Sequence, residues 1–176
     1  GGVFFVVFNG DVIIEKTNFV NCSASGRGGV IFYYGSTLTI SESCFSYCTS
    51  NKDGYCIFCA NGRKTVKIDQ CHFYDSKGGK STTVFLNGFD VSTKMINCTN
   101  SNIDSTLFDG SDDMNDLIIA TSFSISPSYH FTFEMIEINN NSGPFILYFD
   151  QTDQVDSIQN INIINCKLVS EDDTKS

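Results

Sequence analysis

The eight cysteines are the most reactive side chains in this sequence of 176 residues, and their spacing decides what chemistry is open to them. Cys22, Cys48, Cys98 and Cys166 each follow a large apolar residue by three positions: Phe19, Phe45, Met95 and Ile163. Thiols that share one repeat position read as an interior column of small, semi-apolar side chains. Cys22 and Cys48 lie one unit apart, so a disulfide between them also meets the geometric requirement; Cys98 and Cys166, two units apart, should not pair. Cys56-Ile57-Phe58-Cys59 has the spacing of a metal or redox pair. On a strand, residues three apart face opposite sides, so these two thiols are not expected to grip one zinc. Cys44 and Cys71 read as ordinary strand residues or as one cross-coil disulfide.

Other candidates are sparser. Asn21-Cys22-Ser23, Asn97-Cys98-Thr99 and Asn140-Asn141-Ser142 are glycosylation sequons, all expected at the same point of the repeat. They would be surface acceptors in a secreted eukaryotic chain. His72 and His130 lack an Asp-plus-nucleophile context, and His72 is expected to be a solvated imidazole. The arginines, Arg27 and Arg63, sit at turns. Asp109-Gly110-Ser111-Asp112-Asp113-Met114-Asn115-Asp116 alternates oxygen ligands as a calcium loop would. It has Met114 where such a loop needs Gly and Ala120 where it needs Glu, so an acidic surface loop is the competing reading.

The elements that would position these residues follow from a repeat. Gly1-Gly2-Val3-Phe4 recurs as Gly28-Gly29-Val30-Ile31 and as Gly54-Tyr55-Cys56-Ile57. An alternating strand follows about ten residues later: Val12-x-Ile14, Leu38-x-Ile40 and Val66-x-Ile68. Then comes the pair of a large apolar and a small residue: Phe19/Cys22, Phe45/Cys48, Phe73/Ser76, Met95/Cys98, Ile138/Asn141 and Ile163/Cys166. The anchors are 26, 28, 22, 43 and 25 residues apart, which puts an insertion of about 20 residues near 109–128. Asn-Gly and Gly-Ser turns separate the strands at Asn9-Gly10, Gly35-Ser36, Asn61-Gly62 and Asn87-Gly88.

A unit of that length fits one coil of a parallel β-helix, an all-β solenoid of about six coils over 1–170 with an acidic tail at 171–176. Composition agrees: Val, Ile, Thr, Phe and Tyr make 66 of 176 residues, and Ala and Leu only nine. β-branched and aromatic side chains suit a pleated surface and lose rotamer freedom in a helix. An antiparallel meander or sandwich is the rival, because Asn-Gly is also a hairpin signal. The net charge of −9 divides into +2 over residues 1–88 and −11 over 89–176. That asymmetry reads as an interaction face or as a solvated acidic surface, and it argues against nucleic acid. No run reaches the length of a membrane span. The start, without Met or a basic leader, reads as a piece of something longer, so a membrane connection is expected only through flanks. Uncapped at both ends, the piece is expected to aggregate or join edge to edge.

The Gly-Gly-Val-Phe and Gly-Gly-Val-Ile segments, followed at fixed distance by Phe-x-x-Cys, resemble the repeats of polymorphic outer-membrane protein-like (Pmp-like) surface proteins. Those carry G-G-A-I and F-x-x-N tetrapeptides in a right-handed parallel β-helix of the pectin lyase-like kind. Val replaces Ala here, and Cys replaces Asn except at Ile138-Asn139-Asn140-Asn141. The resemblance implies an adhesin-like or structural module at a cell surface or outside the cell, glycosylated and binding a protein or glycan. The residues themselves lead to an expectation of no cofactor, no metal and no catalytic residue. The alternative is a polysaccharide lyase or hydrolase acting on uronic-acid polymers. Galacturonase relatives carry Asn-Thr-Asp, Asp-Asp, Gly-His-Gly and Arg-Ile-Lys patches, of which this chain has only Asp112-Asp113.

Overall fold

The computed structural model describes residues 2–7, 10–52, 54–60, 65–78, 83–88, 90–103, 120–126, 130–143, 145–149 and 155–168. Every strand pairing among them is parallel, and none of them is helical. The chain is a parallel β-solenoid. The meander is excluded for these residues.

Three sheets run along the solenoid axis. The first stacks β1 (Phe4–Val7), β5 (Ile31–Tyr34), β9 (Ile57–Cys59), β12 (Val84–Asn87), β15 (Ala120–Ser126) and β18 (Phe145–Phe149) in that order. The second and longest stacks β2 (Asp11–Glu15) with β3 (Asn18–Val20), β6 (Thr37–Ser41) with β7 (Cys44–Ser46), then β10 (Thr65–Tyr74), β13 (Asp90–Thr99), β16 (His130–Asn139) and β19 (Val155–Ile164). The third is made of two-residue strands: β4 (Ser23–Ala24), β8 (Thr49–Ser50), β11 (Lys77–Gly78), β14 (Asn102–Ile103), β17 (Ser142–Gly143) and β20 (Lys167–Leu168).

Register explains the repeat. Phe4, Ile31, Ile57 and Val84 align, as do Val12, Leu38, Val66 and Val91. Side chains alternate along each strand, so these columns fill the interior and their neighbours face out. Phe19, Phe45 and Phe73 stack at 4.9 Å between successive rings, and Phe4 closes the end of the stack edge-on at 6.0 Å from Phe19. The fourth anchor differs from expectation: Phe73 aligns with Cys98, not Met95. Met95 stands at a corner in the left-handed conformation, φ 51°, with its side chain exposed. The anchor column therefore runs Phe19, Phe45, Phe73, Cys98, Ile138 and Ile163. Cys98 is too small to continue the stack. Phe123 of β15 supplies the missing bulk, its ring edge-on to Phe73 at 6.0 Å and to Phe133 at 5.5 Å.

The Gly-Gly pair also acquires a reason. Gly28 and Gly54 have φ of 69° and 65°, which favours glycine. Gly29 packs so closely that a Cβ there would overlap the carbonyl oxygens of Tyr55 and Thr49. Tyr55 takes the place of the second glycine in the next unit, and its ring lies where a Cβ on Gly78 would go.

The insertion is shifted from the expected range. Residues 120–126 form β15, in register with β12, so the extra length lies between β14 and β15. Residues 109–116, read as a possible calcium loop, fall outside the described residues, as do Arg63 and the tail at 171–176.

Candidate functional site

The cysteines sit where the chain turns a corner. Among the described residues, twelve non-glycine residues have φ between 47° and 56°, in two columns: Lys16, Glu42, Gln70, Met95, Met135, Asn160, and, five residues later, Asn21, Tyr47, Asp75, Asn100, Asn140, Asn165. A left-handed residue with a Cβ costs about 1–2 kcal/mol. At seven of these twelve positions the residue after it provides a clamp. Thr17, Ser43 and Cys71 at the first corner, and Cys22, Cys48, Ser76 and Cys166 at the second, each donate a hydroxyl or thiol hydrogen bond to the carbonyl two residues back. These bonds run from 2.7 Å for Ser43 to 3.6 Å for Cys22. Thr, Ser and Cys serve because each puts a donor on a short stem.

The small-residue column of the second corner is Cys22, Cys48, Ser76, Ser101, Asn141 and Cys166, with Ser101 where the sequence suggested Cys98. Its members also satisfy backbone donors in the neighbouring coil. Ser76 Oγ accepts from Cys48 N at 3.4 Å, and Asn141 Oδ1 accepts from Ser101 N at 2.8 Å. Asn141 Nδ2 in turn donates to Cys98 Sγ at 3.4 Å. Asn141 is 1% exposed, so removing its carboxamide would strand a buried N–H. Asn141→Leu is expected to cost about 2 kcal/mol, read by urea denaturation; an unchanged midpoint would contradict this role.

Cys56 and Cys59 are both buried, which corrects the expectation that they face opposite sides. Cys56 lies before β9 begins, in the turn, so strand alternation does not apply to it. Their surroundings differ all the same. Cys56 Sγ donates to Ser76 Oγ at 3.2 Å and faces Cys48, whereas Cys59 aligns with Tyr33 and Leu86. Among the described residues no three His, Cys, Asp or Glu side chains are grouped to hold a metal ion. Cys44 and Cys71 are on opposite faces, Cys71 buried beside Ser43 and Cys44 outward beside His72, which removes the cross-coil disulfide.

Burial pushes the Cys59 thiol up to about 12 and the Cys71 thiol up to about 11. Tyr33, buried with its one hydroxyl proton shared between Gly10 O at 2.9 Å and Thr37 O at 2.8 Å, is also raised to about 12, chiefly by desolvation. A raised folded-state pKa favours the protonated form, so this stability is complete below the unfolded pKa and is lost as pH rises through the folded one. Stability, read as the melting temperature, is expected to fall progressively as pH rises from about 9 to about 12, by on the order of several kcal/mol. A flat profile over that range would contradict it.

Two sequons share a corner and one does not. Asn21 and Asn140 are exposed left-handed residues of the second column. Asn97 lies on the outer face of β13, between His72 and Glu137, because the register follows Cys98 rather than Met95. Its Oδ1 accepts from Thr99 Oγ1 at 2.6 Å, and Asn140 Nδ2 donates to Asn100 Oδ1 at 2.6 Å. His72 is exposed as expected. His130 pairs with Asp156 at 3.3 Å, a partner that sequence spacing did not suggest.

The outer faces carry two features. On the long sheet, Thr39, Lys67, Ser92, Thr132 and Ser157 form one outward column, and Ser41, Asp69, Lys94, Glu134 and Gln159 the next. Within the latter, Lys94 meets Glu134 at 3.2 Å and Gln159 donates to Glu134 at 2.9 Å. Hydrogen bonds from Ser157, then Gln159 and Lys94, lower the Glu134 carboxyl below its usual range. On the first sheet, Phe5, Phe32, Phe58 and Phe85 stack outside the core at 5.0, 5.3 and 4.8 Å, with the Arg27 guanidinium 5.1 Å from the Phe58 ring centre. This aromatic column was absent from the sequence reading. Its signal is a phenylalanine one place after Phe4, Ile31, Ile57 and Val84, the first inward residues of β1, β5, β9 and β12.

No protein-family model matches this chain, and neither a curated protein nor a solved structure matches it.

Proposed function

We propose that this chain is a non-enzymatic module of the right-handed, pectin lyase-like β-helix kind, related to the Pmp-like repeats and displayed at a cell surface or secreted. Its role is adhesive or structural, with an extracellular or host protein or glycan as ligand. The observation that carries the reading is the pair of registered polar columns on the long sheet. Strands about 4.8 Å apart repeat hydroxyl, amine and carboxylate groups along a flat face. Such a face matches a ligand that repeats its own hydrogen-bonding groups, as an extended glycan does. The Gly-Gly and Phe-x-x-Cys segments support the family reading, and the exposed Asn21 and Asn140 support a glycosylated surface, with Asn97 a third acceptor on the outer face.

The test is retention on a panel of immobilised extracellular proteins and glycans. Retention on one class, weakened tenfold or more when Ser92 and Thr132 are both changed to alanine, is the expected result. Release of unsaturated or reducing sugars from uronic-acid polymers would contradict it and favour the lyase or hydrolase.

A further inference from the structure

Three thiols converge at the second corner near the N-terminal end of the solenoid. Thr49 N donates to Cys22 O at 2.9 Å, which places Cys22 and Cys48 side by side on adjacent coils. The Cys48 thiol reaches toward the first coil, its Sγ 3.8 Å from the carbonyl oxygen of Phe19, and Cys56, bonded to Ser76 Oγ at 3.2 Å, lies close to it in the interior. Neighbouring parallel strands are about 4.8 Å apart, inside the Cα separations that a disulfide spans. The three differ in access: Cys22 is half-buried on the first coil, whereas Cys48 and Cys56 are fully buried. An external reagent therefore meets Cys22 first.

We propose that Cys22 and Cys48 form a redox-modifiable pair, with Cys22 the entry thiol and Cys48 the resolving thiol, closed by a low-molecular-weight disulfide of the glutathione type. The Cys22 thiolate attacks one sulfur of that disulfide, expels one external thiolate and becomes a mixed disulfide. Cys48, its proton passing to the expelled thiolate, attacks the Cys22 sulfur. The second external thiolate leaves and takes up the proton that Cys22 lost. Two protein thiols are oxidised to one disulfide, and one external disulfide is reduced to two thiols.

Access sets the order, and the surroundings ease only the second attack, since burial and then the neighbouring Cys48 raise Cys22 above the ordinary thiol value. The neighbouring Cys56 first, then the backbone of Cys22, hold Cys48 below the ordinary thiol value although burial pulls the other way. Cys56 itself is raised well above that value, by burial first, and stays a donor. A thiol with a lowered pKa is the better attacking group near neutral pH. The bond would staple β3–β4 to β7–β8. It thereby governs whether the first coil can peel away and bare the edge of the second, an edge on which another strand can add. The inference does not depend on where the protein resides.

The test is to expose the fully reduced protein at neutral pH to glutathione disulfide, then alkylate and map peptides without reduction. The expected product is a Cys22–Cys48 linkage with the other six cysteines alkylated. Amide exchange of residues 18–24 should slow at least tenfold against the reduced protein. Cys48→Ser should stop at a glutathione adduct on Cys22, and Cys56→Ser should still form the bond. Circular dichroism establishes that each variant keeps its sheet content. A Cys48–Cys56 linkage, a mixed disulfide that persists on Cys22 of the wild type, or eight free thiols would each overturn the proposal.

Discussion

Phe45→Ala lowers the melting temperature by on the order of 10 °C. Phe45 is fully buried, in the middle of the three-ring stack, 4.9 Å from both Phe19 and Phe73. Removing a buried phenylalanine ring costs about 3–5 kcal/mol, and the cost is highest where the site cannot collapse. Here it cannot, because the two flanking rings are held by strand register one coil above and one below. For a domain of this size each kcal/mol moves the midpoint by roughly 2–4 °C. Met135→Ala is the control: Met135 is also large and apolar but stands exposed at a corner, so its loss should stay within about 0.5 kcal/mol. Equal shifts for the two variants would mean that the stack is not the core.

The second large effect comes from one carbon atom. Gly29→Ala is expected to destabilise by more than about 3 kcal/mol, above the usual 1–3 kcal/mol cost of overpacking. The added Cβ would meet the carbonyl oxygens of Tyr55 and Thr49, which are backbone atoms of other strands and turns and cannot swing aside. Gly26→Ala is the internal comparison, since nothing lies within 4 Å of a Cβ there. Chemical denaturation of the pair separates a steric cost from a general preference for glycine in turns; similar midpoints would refute the close approach.

Much of the fold was legible because a solenoid writes its register into the sequence. Glycine pairs, alternating strands and phenylalanine anchors recur since each coil must present the same shape to the next. The misreading at Met95 has a physical cause. Size and hydrophobicity mark an inward anchor, but they are equally compatible with the exposed left-handed corner that Met95 and Met135 occupy. The second corner announces itself, with Asn or Asp at Asn21, Asp75, Asn100, Asn140 and Asn165, types that tolerate that conformation. The first holds Lys16, Glu42, Gln70 and two methionines, which give no such signal, and only its last member, Asn160, does. Shifting the fourth unit to Cys98 makes the anchor spacings 26, 28, 25, 40 and 25, more regular than the spacing read from Met95.

The candidate site was less legible than the fold. Sequence spacing placed Cys22 and Cys48 together because they share a column, and that requires only the period. Cys56 joins that corner from the turn before β9, bonding Ser76 Oγ across the interior, which no periodicity contains. The same holds for Asn141, whose carboxamide bonds Ser101 N forty residues earlier in the chain, and for the pairing of His130 with Asp156. The outward phenylalanine column is periodic and was within reach.

Parallel register in the long sheet is the claim on which everything else stands, and backbone proton contacts by nuclear magnetic resonance on isotope-labelled protein test it most directly. Parallel pairing of β10 with β13 predicts inter-strand contacts between Thr65 and Asp90 at one end and between Tyr74 and Thr99 at the other. Contacts between Thr65 and Thr99 and between Tyr74 and Asp90 would instead mean antiparallel strands, and would contradict the solenoid.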